Sequence, residues 1–128
     1  MKHNCPFCNL DAERIIYLDD YCIYFRDVFP ISPGHTLIVP RRHIASLFDV
    51  NETERNALFS ALDIAKREID QEFQPDNYNI GINDGPAAGQ TVPHLHIHLI
   101  PRYKGDCDDP RGGVRWIIPD KAKYWDES

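Results

Sequence analysis

Three histidines stand at alternate positions in the stretch His94-Leu95-His96-Ile97-His98-Leu99-Ile100. Alternate side chains of an extended strand share a face. The spacing therefore predicts a strand with His94, His96 and His98 on one face and Leu95, Ile97 and Leu99 on the other. A polar strand face is satisfied by Thr, Lys or Glu, none of which titrates near neutral pH as imidazole does. Two chemistries fit such a row. The histidines could hold a catalytic metal, or one could act as nucleophile or base with the others assisting. A second motif, Cys5-Pro6-Phe7-Cys8, reads as half a zinc site or as a redox pair. A redox pair of the thioredoxin kind is expected after a strand and at the start of a helix, whereas this one stands at the N-terminus. Half a zinc site needs two further ligands. With no second C-x-x-C in the chain, those must be histidines.

The elements that position these groups follow from periodicity. Ile15-Ile16-Tyr17-Leu18 and Tyr21-Cys22-Ile23-Tyr24-Phe25-Arg26-Asp27 read as two strands of a hairpin, with Asp19-Asp20 in the turn. His35-Thr36-Leu37-Ile38-Val39 reads as a buried strand stopped by Pro40. Asn51 and Glu54 form a candidate capping box for a helix whose apolar positions are Ala57, Leu58, Ala61, Leu62, Ala65 and Ile69. Glu54 and the other charged residues are expected elsewhere on that wheel. Tyr78-Asn79-Ile80-Gly81-Ile82-Asn83 alternates cleanly, and one loop joins it to the histidine stretch, which predicts an antiparallel pair. Ile80 and Ile82 are expected under the helix with Leu95, Ile97 and Leu99, and Asn83 on the histidine face. The loop Asp84-Gly85-Pro86-Ala87-Ala88-Gly89-Gln90-Thr91 carries backbone and side-chain donors suited to an anion.

Composition narrows the partners. A chain of 128 residues suits one domain with a core of its own. A net charge of −6 argues against a general binder of nucleic acid or anionic membrane, while leaving room for a small anionic substrate at a local site. No apolar run approaches a membrane helix, and Met1-Lys2-His3-Asn4-Cys5-Pro6 has no apolar signal region. The expectation is a cytoplasmic protein whose four cysteines are not a disulfide framework.

The segment Gly89-Gln90-Thr91-Val92-Pro93-His94-Leu95-His96-Ile97-His98-Leu99-Ile100-Pro101-Arg102 resembles the signature of the histidine triad (HIT) family. Ser32-Pro33-Gly34-His35-Thr36-Leu37-Ile38-Val39-Pro40 is similar to that family's Pro-Gly-His strand, and Asn83-Asp84-Gly85-Pro86-Ala87-Ala88-Gly89 to its phosphate loop. The resemblance implies an α+β fold, an antiparallel sheet of about five strands with the long amphipathic helix on one face. It implies a single domain over 1–128, with residues 103–128 a tail that contributes to a dimer or covers the site. It implies a homodimer that hydrolyses or transfers nucleotidyl groups at an α-phosphate, with no organic cofactor.

By the same resemblance His96 is the nucleophile, its other ring nitrogen donating to the His94 carbonyl. His98 donates to phosphate oxygens, and His35 buttresses the triad. Gly89, Gln90, Thr91 and Asn83 hold the phosphate side. Asp27 takes the ribose hydroxyls, and Phe25 and Val28 line the base pocket. Cys5, Cys8, His43 and His94 match the ligands of a structural zinc found in some branches, a closed set that uses one histidine of the row. The loop is closest to the dinucleoside polyphosphate hydrolases, whereas Asn83 and Asp27 are more like the phosphoramidases. The expected substrate is a dinucleoside polyphosphate such as diadenosine tetraphosphate. The alternatives are a purine nucleoside phosphoramidate or nucleotide binding without catalysis. Arg111 and Arg115 are expected to add cationic contacts to a polyphosphate.

Overall fold

A computed structural model describes residues 4–126. Residues 1–3, part of the stretch read as lacking a signal region, lie outside the described residues, as do tail residues 127–128. Five strands form one antiparallel sheet: β1 (Ile15–Leu18), β2 (Cys22–Arg26), β3 (Thr36–Pro40), β4 (Asn77–Gly81) and β5 (Ile97–Arg102), in the order β1-β2-β3-β5-β4. The long helix α1 (Glu52–Phe73) joins β3 to β4, and a short helix α2 (Pro119–Ala122) lies in the tail. The expected α+β architecture is what the chain adopts.

Local chemistry sets the element ends. The Asp19 carboxylate accepts from the Tyr21 and Cys22 N–H groups and so closes the β1–β2 turn. The Asn51 side chain accepts from Glu54 N and the Glu54 carboxylate accepts from Asn51 N, a complete capping box at the start of α1. Glu54 is not on the solvent side of the wheel. It is buried and paired with Arg42 through two hydrogen bonds of 2.8 and 2.9 Å, which tie the helix start to the end of β3.

The sheet has two unlike faces. On one, Tyr24, Ile38, Leu95, Ile97 and Leu99 pack against Leu58, Ala61, Ala65 and Ile69 of α1. On the other, Ile23, Phe25, Leu37 and Val39 pack against Phe7, Leu10 and Ile15. Register assigns the histidines. Leu37 pairs with His98, and His98 with Gly81, so His98 is on the face away from α1.

Two expectations about this half of the sheet need correction. The regular ladder starts at Ile97, so His94 and His96 stand on its approach rather than within it. Pro40 has no N–H to extend the β3 ladder, and its carbonyl takes the His94 ring instead, while Leu95 N donates to the Ile44 carbonyl. Ile80 does not reach the helix core. Tyr78 and Ile82 do, but Ile80 lies at the sheet edge and is 50% exposed.

Candidate active site and metal centre

The histidine row ends at a closed cluster. His94 Nε2 is 2.8 Å from the Pro40 carbonyl, which can only accept, so that nitrogen carries the proton. The free lone pair of His94 Nδ1 then points at Cys5 Sγ (3.4 Å) and Cys8 Sγ (3.5 Å). His43 Nδ1 lies 3.1 Å from Cys8 Sγ, and the Cys8 N–H donates to Cys5 Sγ. Ligand atoms of Cys5, Cys8, His43 and His94 all lie within 4.8 Å of one another. Separations of 3.1–3.5 Å are what neighbouring ligands show around a tetrahedral ion with bonds of about 2.0–2.3 Å. The donor set is two thiols and two imidazoles, and the hydrogen bond to Pro40 orients one ligand from behind. These four residues fit a metal ion.

The middle histidine is arranged differently. His96 Nδ1 lies 2.8 Å from the His94 carbonyl, the hydrogen bond expected from the sequence. The carbonyl can only accept, so Nδ1 is protonated, and in the neutral tautomer Nε2 is the nitrogen with the lone pair. The Phe7 ring stands edge-on to both His94 and His96, with centroids 5.8 and 5.1 Å away. It packs against both rings.

The third histidine ends a directed chain. Ile31 N donates to His35 Nδ1 (3.1 Å), which leaves the single proton of a neutral His35 on Nε2. That nitrogen is 3.0 Å from His98 Nδ1 and 3.5 Å from Asp27 Oδ2. His98 Nδ1 therefore accepts, and its own proton sits on Nε2. Burial lowers the His35 pKa against the opposing pull of Asp27. Burial, with His96 and His35 beside it, brings His98 down to about 4. Both rings are neutral near pH 7, and the row presents Nε2 of His96 beside an N–H at His98.

The other expected site residues fall into two groups. Asp27 lies beside His35, with its Oδ1 accepting from Phe29 N, and Val28 is exposed on the adjoining loop. Asn83 lines the cleft next to His98, and Thr91 is exposed at the end of its loop. Three residues differ from expectation. Phe25 is 1% exposed with its ring against Phe7, so it lies beneath the surface instead of forming an open wall. The Gln90 amide is fully engaged, accepting from Gly85 N and donating to the Ala45 and Val92 carbonyls. Gly89 N donates to the Pro86 carbonyl. Gln90 and Gly89 thus hold the loop in shape, with Asp84 pinning it by accepting from Ser46 Oγ and Leu47 N. Sequence reading passed over Asp84 and Ser46, since their contact spans 38 positions.

The tail also departs from expectation. Arg111 pairs with Asp109 and lies over the Trp125 ring, and Arg115 donates to the Lys121 and Ala122 carbonyls. Both guanidiniums are engaged within the tail. Residues 107–117 instead wall a cleft of about 630 Å³ whose floor is the β4–β5 surface beside His98.

The chain is similar to known proteins. The family model described as HIT domain matches residues 11–105. A Bacillus subtilis protein named Protein hit is 38% identical over 108 residues, covering 80% of this chain and 74% of that protein. The bis(5'-adenosyl)-triphosphatase of Saccharomyces cerevisiae is 40% identical over 118 residues, covering 91% of this chain. This chain spans about half the length of that yeast relative, 54% of it. The crystal structure of a Zn-bound histidine triad family protein from Mycobacterium smegmatis superposes with a TM-score of 0.74 at 32% identity, covering 83% of this chain and 80% of that one. The chain belongs to the HIT family. No helix among the described residues is long and apolar enough to cross a membrane.

Proposed function

We propose that this protein hydrolyses dinucleoside polyphosphates by way of a covalent nucleotidyl-His96 intermediate. The observation that carries the reading is the hydrogen bond from His96 Nδ1 to the His94 carbonyl, which puts a proton on Nδ1 and leaves Nε2 as the nitrogen that can attack. The Nε2 lone pair attacks the α-phosphorus and a P–N bond forms. The bond from that phosphorus to the bridging oxygen breaks, and the remaining polyphosphate leaves with the electron pair. Water then attacks the same phosphorus, the P–N bond breaks, and a mononucleotide departs as the imidazole is restored. His98 Nε2–H donates to the phosphoryl oxygens as their charge rises. Asp27 accepts from the ribose hydroxyls, Val28 borders the base, and Asn83 and Thr91 face the phosphates.

A structural zinc held by Cys5, Cys8, His43 and His94 belongs to this reading. When bound it cross-links the N-terminal segment to the histidine row. The fitting donor set supports it, as does the zinc in the mycobacterial relative. The reading extends to a cytoplasmic homodimer. Thiols placed as ligands suit a reducing compartment. Among the described residues the outer edge of β4 has no strand beside it, which suits a second copy.

The name of the yeast relative supports the choice of substrate. The test is turnover of diadenosine triphosphate, diadenosine tetraphosphate and adenosine phosphoramidate by chromatography, with zinc quantified on the same samples. The expected result is AMP from a dinucleotide with the wild type, none with His96→Asn, and zinc in both. Preference for the phosphoramidate would move the assignment to a phosphoramidase. Stoichiometric nucleotide binding without product would make it a binding protein.

A further inference from the structure

The cleft beside His98 takes in His98 and Asn83, which the proposed chemistry uses, but the rest of its lining has no part in that chemistry. Its floor is Asn79, Gly81, His98 and Ile100, and its wall includes Cys107, Val114, Trp116 and Ile117. The wall begins beyond residue 105, where the family match ends. About 630 Å³ is within the range of small-ligand sites. Its chemistry is selective. The cation on its floor, Arg102, is engaged by both oxygens of Asp106 and by Asn79 Oδ1, and the tail arginines are engaged within the tail. With the Arg102 charge balanced by Asp106, the cleft suits a flat apolar group better than a phosphate.

Trp116 supplies a ring for such a group. Its Nε1–H donates to the Arg111 carbonyl at 2.8 Å, which fixes the indole, and the residue remains 40% exposed. Gly81, opposite His98, has nothing within 4 Å of where a Cβ would stand, so the floor there is open. The wall is seated on β4 by a close approach: a Cβ on Gly113 would lie 3.2 Å from Asn79 Nδ2, at a φ of +43°.

We propose that this cleft binds the base of the departing nucleotide, stacked on Trp116, so that the tail selects leaving groups that carry a base. The proposal rests on the reading of His96 as the attacking group, which places a scissile phosphate beside His98 at the edge of the cleft. Trp116→Ala is expected to lower the ratio of kcat/KM for diadenosine tetraphosphate to that for adenosine phosphoramidate by about tenfold, as for loss of one base–aromatic stack. Gly113→Val, which lifts the wall, should lower the ratio in the same direction. A ratio within about twofold of wild type in both variants would overturn the proposal.

A second measurement does not depend on turnover. In His96→Asn, alkylation of Cys107 by iodoacetamide is followed by peptide mass spectrometry with diadenosine tetraphosphate or AMP at saturation. Protection by the dinucleotide and not by AMP supports the cleft as the site of the second base. Equal alkylation with both ligands bound overturns it. Should the wild type cleave no substrate, the catalytic reading fails, and the protection result still decides whether a second base enters the cleft.

Discussion

His94 and His98 lie at opposite ends of one row and are surrounded differently. His94 is 1% exposed, its two nitrogens directed to a backbone carbonyl and to two thiols. His98 meets another imidazole on one side and an open cleft on the other. His96, between them, is held at one nitrogen and free at the other. Three copies of one side chain, two residues apart, thus have three different surroundings, and on the proposed reading these fit them as metal ligand, nucleophile and N–H donor. The difference lies in what each ring nitrogen faces. Residue type restricts the chemistry; the hydrogen-bond partner assigns it.

The contrast can be broken by exchanging one histidine at a time. The largest effect is expected at His96. His96→Asn should lower kcat by about four orders of magnitude, roughly 5 kcal/mol of barrier, with the fold and the metal retained. Loss of metal from this variant, measured by atomic absorption, would show that the row acts as one metal site. At the closed end, Cys8→Ala or His43→Ala should cost several kcal/mol of stability, roughly 10 °C in Tm, with metal lost at the same time. An unchanged melting curve in either would contradict a structural role for the cluster.

Smaller effects sharpen the open end. His35→Asn removes the donor that fixes the His98 tautomer. It should lower kcat about 10- to 100-fold and leave KM near wild type, as read from steady-state kinetics. An effect confined to KM would mean that His35 acts on binding.

The smallest effect concerns pH. His98 titrates near 4 in the fold, against 6.5 for an ordinary histidine, with His96, His35 and Asp27 facing it. Between pH 6.5 and 4 the unfolded chain therefore binds a proton that the folded ring does not. The stability His98 contributes as a neutral ring is fully present above pH 6.5 and is lost as pH falls through that window. The loss should be on the order of 1 kcal/mol once partial solvent access is allowed for. Tm should fall less steeply over that window in His98→Asn than in wild type. Equal slopes in thermal melts would place the titration elsewhere.

What the sequence made legible was local. The capping box at Asn51 and Glu54 and the hairpin turn at Asp19 depend on neighbours within a few positions, and the chain realises them. What it concealed depends on distant partners. The ladder begins at Ile97 because the Pro40 and Ile44 carbonyls draw the approaching chain into other contacts. Gln90 reads as a donor to an anion, and only folding brings the Ala45 carbonyl to its amide. Phe25 reads as pocket wall until Phe7 lies over it. The tail has no apolar period at all. Its form comes from arginine–aromatic contacts and the close approach at Gly113, neither of which a periodicity search can find.

The central claim is the division of roles along the row, and its most direct test is the site of covalent attachment. Wild-type protein is mixed with diadenosine tetraphosphate, quenched in alkaline denaturant within the first turnovers, and mapped by peptide mass spectrometry. The account predicts one adenylate on His96, absent from His96→Asn, with His94 and His98 unmodified. Adenylate on His98, or steady release of AMP from an enzyme that never carries the adduct, would contradict it.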